Sequence, residues 1–335
     1  MSSAAGAAAR WFVPFLTVAA VAGLAAAIPV DGVSTSAVRL VDEVNPLAGR
    51  PLYVDPNSAA MRAARSADPP SPQLDTIANT PQAWWIDQAF SPSTVAGRVA
   101  GYAGAAQAAG AMPVFALYAI PHRDCGSYAA GGFSSGADYK AWIDGVASGL
   151  GSSPATIILE PDALAMADCL SADQRQERFD LINYAVDALT RDPAAAVYID
   201  GGHSRWVGAE DMAGRLNQAG VARARGFSLN TSNFFTTEEE IGYGDTISGL
   251  TNGKPYVIDT SRNGAGPADD PLYWCNPSGR ALGAAPTTAT ASPNVDAYLW
   301  VKRPGDSDGS CGRGEPGPGT FMKQAAIELA RNAGR

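Results

Sequence analysis

The strongest constraint on the fold is an alternation, from about Ser36 onward, of short apolar, β-branched runs with longer helical stretches. The strand-like runs are residues 51–54, 83–86, 113–120, 156–159, 196–199, 226–229, 256–258 and 297–301. The helical stretches include residues 93–109, 139–150, 172–190, 211–219 and 320–332. Strands separated by helices pair in parallel through right-handed crossovers, which predicts a barrel or a doubly wound sheet.

The chain is expected to form one domain of catalytic size over residues 37–335. Its 335 residues allow one large α/β domain or two small ones. We find no internal repeat and no Ser/Thr/Pro-rich linker, and the Pro/Gly-rich segment 304–319 precedes a predicted helix, which is typical of a loop.

Residues 1–36 have the pattern of an export signal. Arg10 is followed by an uncharged, apolar stretch over residues 11–30, with small residues at Ala25 and Ala27. A stretch of this length could also remain as a membrane anchor. We expect a cleaved signal peptide, and either interpretation predicts a secreted or outward-facing protein.

The four cysteines fit an oxidising compartment. Cys125, Cys169, Cys275 and Cys311 show no Cys-x-x-Cys spacing, which argues against zinc or thioredoxin-like chemistry. An even number of cysteines in an exported chain predicts two disulfides, and three pairings are possible. Pairing of neighbours would close loops worth roughly 4 kcal/mol each on the chain-entropy model.

Charge and composition exclude several functions. A net charge of -9 argues against nucleic-acid binding and suits a neutral polysaccharide. His122 and His203 are the only histidines, so a zinc site is not expected. The run Asp306-Ser307-Asp308-Gly309 resembles part of a calcium loop, but Gly317 stands where the closing glutamate belongs. With no Gly-x-Ser-x-Gly motif either, we predict neither a metal nor a cofactor.

Polar residues follow the strand-like runs at the points where these runs end. They are Asp124, Asp162, Asp200, Asn230, Asp259 and Asp308. In α/β barrels the loops at the carboxyl ends of the strands build the active site. Glycoside hydrolysis needs one carboxylic acid to protonate the leaving oxygen and a second carboxylate to assist water. Any one of these residues could instead be a loop cap or turn former, but several together predict a catalytic face.

Seven motifs, in order from about Asn45 to the C-terminus, resemble glycoside hydrolase family 6, and most closely its compact bacterial endoglucanases. They are residues 118–125 (YAIPHRDC), 157–164 (IILEPDAL), 198–204 (YIDGGHS), 230–233 (NTSN), 259–264 (DTSRNG), 274–280 (WCNPSGR) and 300–309 (WVKRPGDSDG). The resemblance implies a distorted barrel with about seven parallel strands. It also implies inverting hydrolysis of internal β-1,4-glucosidic bonds in cellulose or a related β-glucan.

The resemblance also suggests a role for each catalytic residue. Asp162 matches the general acid, and Asp124 matches a neighbouring carboxylate whose charge would raise the pKa of Asp162. Arg123 would moderate this pair, and Tyr118 matches a tyrosine beside the cleaved bond that helps to distort the sugar ring.

Asp308 matches the aspartate proposed as the base, with Lys302 and Arg262 as cationic partners. Two cations favour the ionised carboxylate but make it a poor base. Family members commonly carry a serine where this chain has Ala130, and that serine helps to hold a water. Three nearby serines could substitute for it: Ser127, Ser134 and Ser135.

Substrate binding is expected from aromatic platforms and polar groups along the cleft. Trp85, Trp206 and Trp274 match tryptophans on which glucose rings stack, whereas Trp84 is expected to point into the core. The matching polar groups are Asp200, His203, Asn230, Asn233, Lys302 and Asp306, the last standing where glutamate is usual. The family's disulfides correspond to Cys125 with Cys169 and Cys275 with Cys311.

The connections over the cleft favour internal cleavage. Cellobiohydrolases of the family carry long insertions that roof the cleft, and the segments 233–256 and 308–321 are short here. Exo action and a catalytically weak glucan-binding surface protein are the alternatives. We expect a monomer whose partner is a β-1,4-glucan, with no protein partner implied.

Overall fold

The computed structural model describes residues 44–335. The predicted signal or anchor at residues 1–36 lies outside the described residues. None of the helices formed by residues 44–335 is long and apolar enough to cross a membrane.

The centre of the domain is a seven-stranded sheet in which every strand pairs in parallel with the next along the chain. The strands are β1 (Trp84–Ile86), β2 (Val114–Leu117), β3 (Ala155–Leu159), β4 (Ala195–Asp200), β5 (Gly226–Leu229), β6 (Tyr256–Asp259) and β7 (Val295–Leu299). The amide of Ala83 donates to the carbonyl of Trp300 at 2.9 Å, so the sheet curls until β1 approaches the chain beyond β7. The predicted distorted barrel is therefore confirmed.

One of the predicted strands is wrong. Residues 51–54 form only a single bridge, between Leu52 and Met112. Pro51 has no amide hydrogen to donate, so this segment adds two backbone hydrogen bonds beside Met112 without continuing as a strand.

Helices connect the strands and cover the outside of the sheet. They are α1 (Ala59–Arg65), α2 (Pro72–Ala78), α3 (Val95–Ala108), α4 (Gly136–Leu150), α5 (Ala172–Leu189), α6 (Ala209–Gln218), α7 (Thr237–Leu250) and α8 (Lys323–Asn332). The five predicted helices are confirmed within a few residues at each end. The sequence analysis missed α1, α2 and α7.

Helix α7 has glycines where helical propensity is low, and packing explains why it forms. Thr236 caps its first turn by accepting a hydrogen bond from the Glu239 amide. A Cβ atom on Gly244 would overlap the Tyr256 ring, so this glycine allows the helix to lie close against β6. Tertiary packing thus outweighs the glycine penalty.

The core has two layers, one between the strands and the helices and one inside the barrel. Trp84 packs in the outer layer of the core, as predicted, and its ring stacks on that of Tyr102 with 4.5 Å between the ring centres. Trp85 faces the interior of the barrel. Ala116, Ile158 and Tyr198 belong to the interior layer and lie in register on three successive strands. Trp300 is fully buried in a third apolar cluster beneath α2 and α8.

The buried carboxylate of Asp296, which contacts Tyr198 of the barrel interior, gives a test of the fold. Asp296 accepts a hydrogen bond from the Tyr198 hydroxyl at 2.6 Å and pairs with Arg225 at 2.8 Å. We predict that Asp296→Ala lowers the free energy of unfolding by about 3 kcal/mol, because it removes the acceptor of a buried ion pair. Denaturant unfolding measures this loss. The control is Asp187→Ala, which removes an exposed ion pair with Arg223 and should have little effect; equal losses in both variants would contradict the prediction.

Candidate active site

A cleft of about 560 Å³ lies at the carboxyl ends of the strands. Predicted site residues that line it are Trp85, Tyr118, Arg123, Asp124, Asp162, His203, Trp206, Asn233, Trp274, Lys302, Asp306 and Asp308. Trp85 lies on β1 and the others come from the loops after the remaining six strands, and the parallel sheet brings them to one face.

Three buried carboxylates hold the loops that form this face, and the first is Glu160, directly after β3. It is 1% exposed, and its oxygens accept hydrogen bonds from the amides of Ala119 and Ile120 at 3.0 to 3.1 Å. Burial raises the pKa of Glu160 to about 7. The chain just beyond Tyr118 is thereby fixed to the end of the neighbouring strand.

Asp200, at the end of β4, holds the loop after β3 in the same way. One of its oxygens accepts the amides of Asp162 and Gly202, each at 3.0 Å, and the other accepts the Ser228 hydroxyl at 3.0 Å. Burial raises the pKa of Asp200 to about 6. The position of Asp162 therefore depends on a hydrogen bond from its own backbone to Asp200.

Asp259, at the end of β6, joins three loops. Its carboxylate accepts the amides of Ser232 at 3.0 Å, Ser261 at 3.0 Å, Val301 at 3.2 Å and Lys302 at 2.8 Å. It is 1% exposed, so these four hydrogen bonds replace hydration of the carboxylate. The sequence analysis noted its place at a strand end but did not predict this role.

Asp162 projects into the cleft from a backbone in the left-handed region, with φ of 69°. Its pKa is raised well above the ordinary aspartate value, first by burial, next by the charge of Asp200 and then by that of Asp124, while Lys302 opposes the rise. The sequence analysis expected Asp124 to supply the charge. Burial and Asp200 contribute more.

Arg123 supports Tyr118 more closely than it supports Asp124. Its guanidinium lies 4.3 Å from the centre of the Tyr118 ring and donates to the Tyr118 carbonyl at 2.6 Å. Asp124 accepts a hydrogen bond from the Ala129 amide at 2.7 Å, and burial raises its pKa. All three side chains line the same cleft as Asp162.

The structure distinguishes the three serines that could replace the usual serine at Ala130. Ser127 lines the cleft, and its side chain acts to lower the pKa of Asp124 against the larger effect of burial. Ser135 caps α4 and bonds to Asp138, and Ser134 is exposed outside the cleft lining. Ser127 is thus the serine placed to contact a water beside Asp124.

Asp308 is the most strongly ionised carboxylate of the cleft. It pairs with Arg262 at 2.8 Å and Lys302 at 2.9 Å, and it accepts the Asn276 amide at 3.0 Å. Burial acts to raise its pKa, but the two cations outweigh burial and hold the pKa at about 2. Asp162 and Asp308 therefore share one cleft with opposite tendencies toward protonation.

The aromatic residues lie where a sugar chain could stack on them. Trp206 is 39% exposed, and its ring lies 5.3 Å from that of His203. Trp85 donates its indole N–H to the Val301 carbonyl at 2.8 Å, which fixes the ring beside Tyr118. His203 stacks on Phe235 at 4.3 Å, and burial lowers its pKa to about 4.

Helix α7 holds the loop that carries His203 and Trp206. Glu239 pairs with Arg205 at 2.6 Å, Glu240 accepts the Ser204 amide at 3.0 Å, and the Tyr243 hydroxyl donates to the Val207 carbonyl at 2.8 Å. Because the sequence analysis missed α7, it also missed these contacts.

Two predicted sugar-binding residues lie beneath the cleft. Asp200 and Asn230 are at most 1% exposed and are absent from the cleft lining. Asn230 donates to the carbonyls of Phe235 and Asp259 at 3.0 Å and accepts the Phe235 amide at 3.2 Å. These hydrogen bonds hold the loops in place, and they leave neither side chain with an exposed group that could bind a sugar.

Several cleft residues were not predicted as site residues. They are Asp87, Ala129, Met166, Arg205, Ser232, Tyr273, Arg303, Pro318 and Gly319. Arg303 pairs with the buried Asp306 at 2.5 Å. Arg205 could have been predicted as a site residue, because it is adjacent in sequence to the predicted Trp206.

Both disulfides pair as the resemblance implied. Cys125 is bonded to Cys169 and Cys275 to Cys311, so each bond ties a loop that carries a cleft carboxylate. Within residues 44–335, no group of three or more His, Cys, Asp or Glu side chains is arranged to hold a metal ion.

A curled parallel α/β barrel with a cleft of carboxylates and tryptophans at its strand ends has the architecture of a glycoside hydrolase. The family model for "Glycosyl hydrolases family 6" matches residues 47–333, and the chain belongs to this family.

Endoglucanase A of Cellulomonas fimi is 45% identical over 284 residues, which cover 84% of this chain and 61% of that protein. Endoglucanase A of Thermobispora bispora is 43% identical over 291 residues, covering 84% and 62%. The chain thus spans about three-fifths of the length of these two relatives.

A solved structure is similar over nearly the whole described domain. It is the endoglucanase Cel6 from Mycobacterium tuberculosis in complex with methyl-cellobiosyl-4-deoxy-4-thio-β-D-cellobioside. Its sequence is 75% identical, the TM-score is 0.86, and the match covers 87% of this chain and 100% of that chain.

The buried Glu240 allows the contact between α7 and the loop that carries His203 and Trp206 to be tested through the pH dependence of stability. Burial raises its pKa to about 7, so its contribution to stability is complete below its ordinary pKa and is lost as pH rises through about 7. We predict that Glu240→Gln, which stays neutral, reduces the loss of unfolding free energy between about pH 5 and about pH 8. The matched control is Glu238→Gln, at an exposed position on the same helix. Identical pH dependence in the two variants would refute the assignment.

Proposed function

We propose that this protein hydrolyses internal β-1,4-glucosidic bonds in cellulose or a related β-glucan, with inversion at the anomeric carbon. The observation that carries the proposal is the contrast between Asp162 and Asp308. One carboxyl favours its protonated form and the other is ionised, in a single cleft lined with tryptophans. An acid and an anion in one cleft are what glycoside hydrolysis uses.

Asp162 is the proposed general acid. A protonated Asp162 gives its proton to the glycosidic oxygen as the bond to the anomeric carbon breaks. The carboxylates of Asp200 and Asp124 favour the protonated form before the reaction. Tyr118, at the edge of the Trp85 ring, lies beside this step and would contact the distorted sugar.

Asp308 is proposed as an ionised carboxylate that accepts the proton of the attacking water. A carboxylate with a pKa of about 2 is too weak a base for water in its ordinary state. Water becomes a much stronger acid as it bonds to the positively charged anomeric carbon, and a weak base then suffices. We propose that Ser127, which lines the cleft three residues after Asp124, holds this water.

Internal cleavage is proposed because the cleft carries no long roof. The segment 233–256 contains α7, which packs against α6 rather than covering the cleft. Of the segment 308–321, only Asp308, Pro318 and Gly319 line the cleft. The endoglucanase names of the similar proteins favour the same conclusion.

We further propose that the protein is exported and acts as a monomer on its polysaccharide. The two disulfides are typical of proteins outside the cytoplasm. The apolar stretch at residues 11–30 has the pattern expected of an export signal.

The function is tested with carboxymethylcellulose, by following reducing ends and viscosity together. We predict that wild type releases reducing ends and that viscosity falls early, as internal cleavage requires. Asp162→Asn should lower kcat at least about 100-fold, since it removes the general acid. Asp173→Asn, at an exposed position on α5, is the matched control and should retain activity. If wild type binds cello-oligosaccharides yet is no faster than Asp162→Asn, the protein is a glucan-binding protein.

The water-holding role is tested by Ser127→Ala. We predict a fall in kcat of about tenfold with little change in KM, because the hydroxyl orients the attacking water and does not bind the sugar. Ser134→Ala, only seven residues away but outside the cleft lining, is the control and should match wild type. An unchanged kcat in Ser127→Ala would rule this role out.

A further inference from the structure

Tyr128 is an exposed aromatic residue that the catalytic proposal does not use. It is 39% exposed and does not line the cleft, although Ser127 and Ala129 on either side of it do. A large exposed ring in the middle of a catalytic loop therefore calls for a separate explanation.

The Tyr128 ring packs on the far loops of the site. Its centre lies 5.8 Å from that of Trp274. A Cβ atom placed on Gly309 would come within 2.7 Å of the Tyr128 Cβ, and one on Gly312 would lie 3.5 Å from the Tyr128 hydroxyl. Gly309 also has φ of 139°, a conformation that favours glycine. Gly309 thus leaves space that the tyrosine occupies, and Gly312 lies beside the tyrosine hydroxyl.

Neither disulfide of the site joins the two loops that Tyr128 brings together. One disulfide ties the loop after β2 (residues 118–135) to the loop after β3 through Cys125 and Cys169. The other ties the loop after β6 to the loop after β7 (residues 300–322) through Cys275 and Cys311. Within the described residues 44–335, no hydrogen bond or ion pair joins residues 118–135 directly to residues 300–322.

Each side of the Tyr128 contact is close in sequence to a cleft carboxylate. Asp124 precedes Tyr128 by four residues, and Asp308 directly precedes Gly309. Asp308 is fixed by two cations and the Asn276 amide, so its loop offers a rigid surface. In the proposed reaction Ser127 holds the attacking water and Asp308 accepts its proton, so the separation of these two loops decides whether the water reaches the base.

We infer that Tyr128 is a positioning residue that sets the separation of Asp124 from Asp308 by packing the loop after β2 against the loop after β7. Its ring contacts Trp274, and its Cβ and ring atoms together lie against Gly309. This inference rests on the proposed function, because it concerns the placement of water in that reaction.

The test compares Tyr128→Ala and Tyr128→Phe by steady-state kinetics on a soluble cello-oligosaccharide. Because small misplacements of catalytic groups are costly, Tyr128→Ala should lower kcat about tenfold while KM stays within about twofold. Tyr128→Phe keeps the ring and should retain a kcat within about twofold of wild type. Tyr184→Ala, which removes a partly buried tyrosine of α5 outside the cleft lining, is the control for the loss of a surface ring. Thermal melting of each variant verifies that it is folded.

Two results would overturn the inference while the proposed function stands. In the first, wild type is active and Tyr128→Ala has the same kcat. In the second, Tyr128→Ala raises KM alone, which would mean that the ring only supports Trp274 as a sugar platform. An inactive wild type would instead overturn the proposed function and this inference with it.

Discussion

The active-site face depends on one kind of interaction, in which a buried carboxylate at a strand end accepts backbone amides from the neighbouring loops. Glu160, Asp200 and Asp259 each do this, and each is 1% exposed. An unpaired buried carboxylate would be very costly, so the loops must supply these amides whenever the domain is folded. The loops therefore gain defined positions although they lack regular secondary structure.

The same arrangement shifts the pKa values of the two proposed catalytic carboxyls in opposite directions. Asp200 fixes the Asp162 backbone and at the same time adds a negative charge that raises the pKa of Asp162, after burial. On the opposite side, Asp259 accepts the Lys302 amide, and the Lys302 ammonium pairs with Asp308. One residue type thus yields an acid and an anion because the surrounding charges differ.

The alternating pattern of the sequence predicted parallel strands, in a barrel or a doubly wound sheet, and the resemblance to the family implied the barrel. The pattern could not separate Asp200 and Asp259, which hold loops, from Asp162 and Asp308, which face the cleft, because that difference depends on which amides the neighbouring loops present. Helix α7 escaped prediction because packing against β6, not local propensity, accounts for its glycines. The distinction between Ser127 and its neighbours likewise required the path of the loop.

The central claim is that Asp162 is protonated under conditions in which Asp308 is ionised. A carbon-13 NMR titration of the aspartate carboxyls, with the Asp162 signal assigned by its loss in Asp162→Asn, measures this most directly. We expect Asp162 to titrate well above the ordinary aspartate pKa of about 3.9 and Asp308 to titrate near 2. An Asp162 carboxyl that titrates at or below about 3.9 would contradict the account.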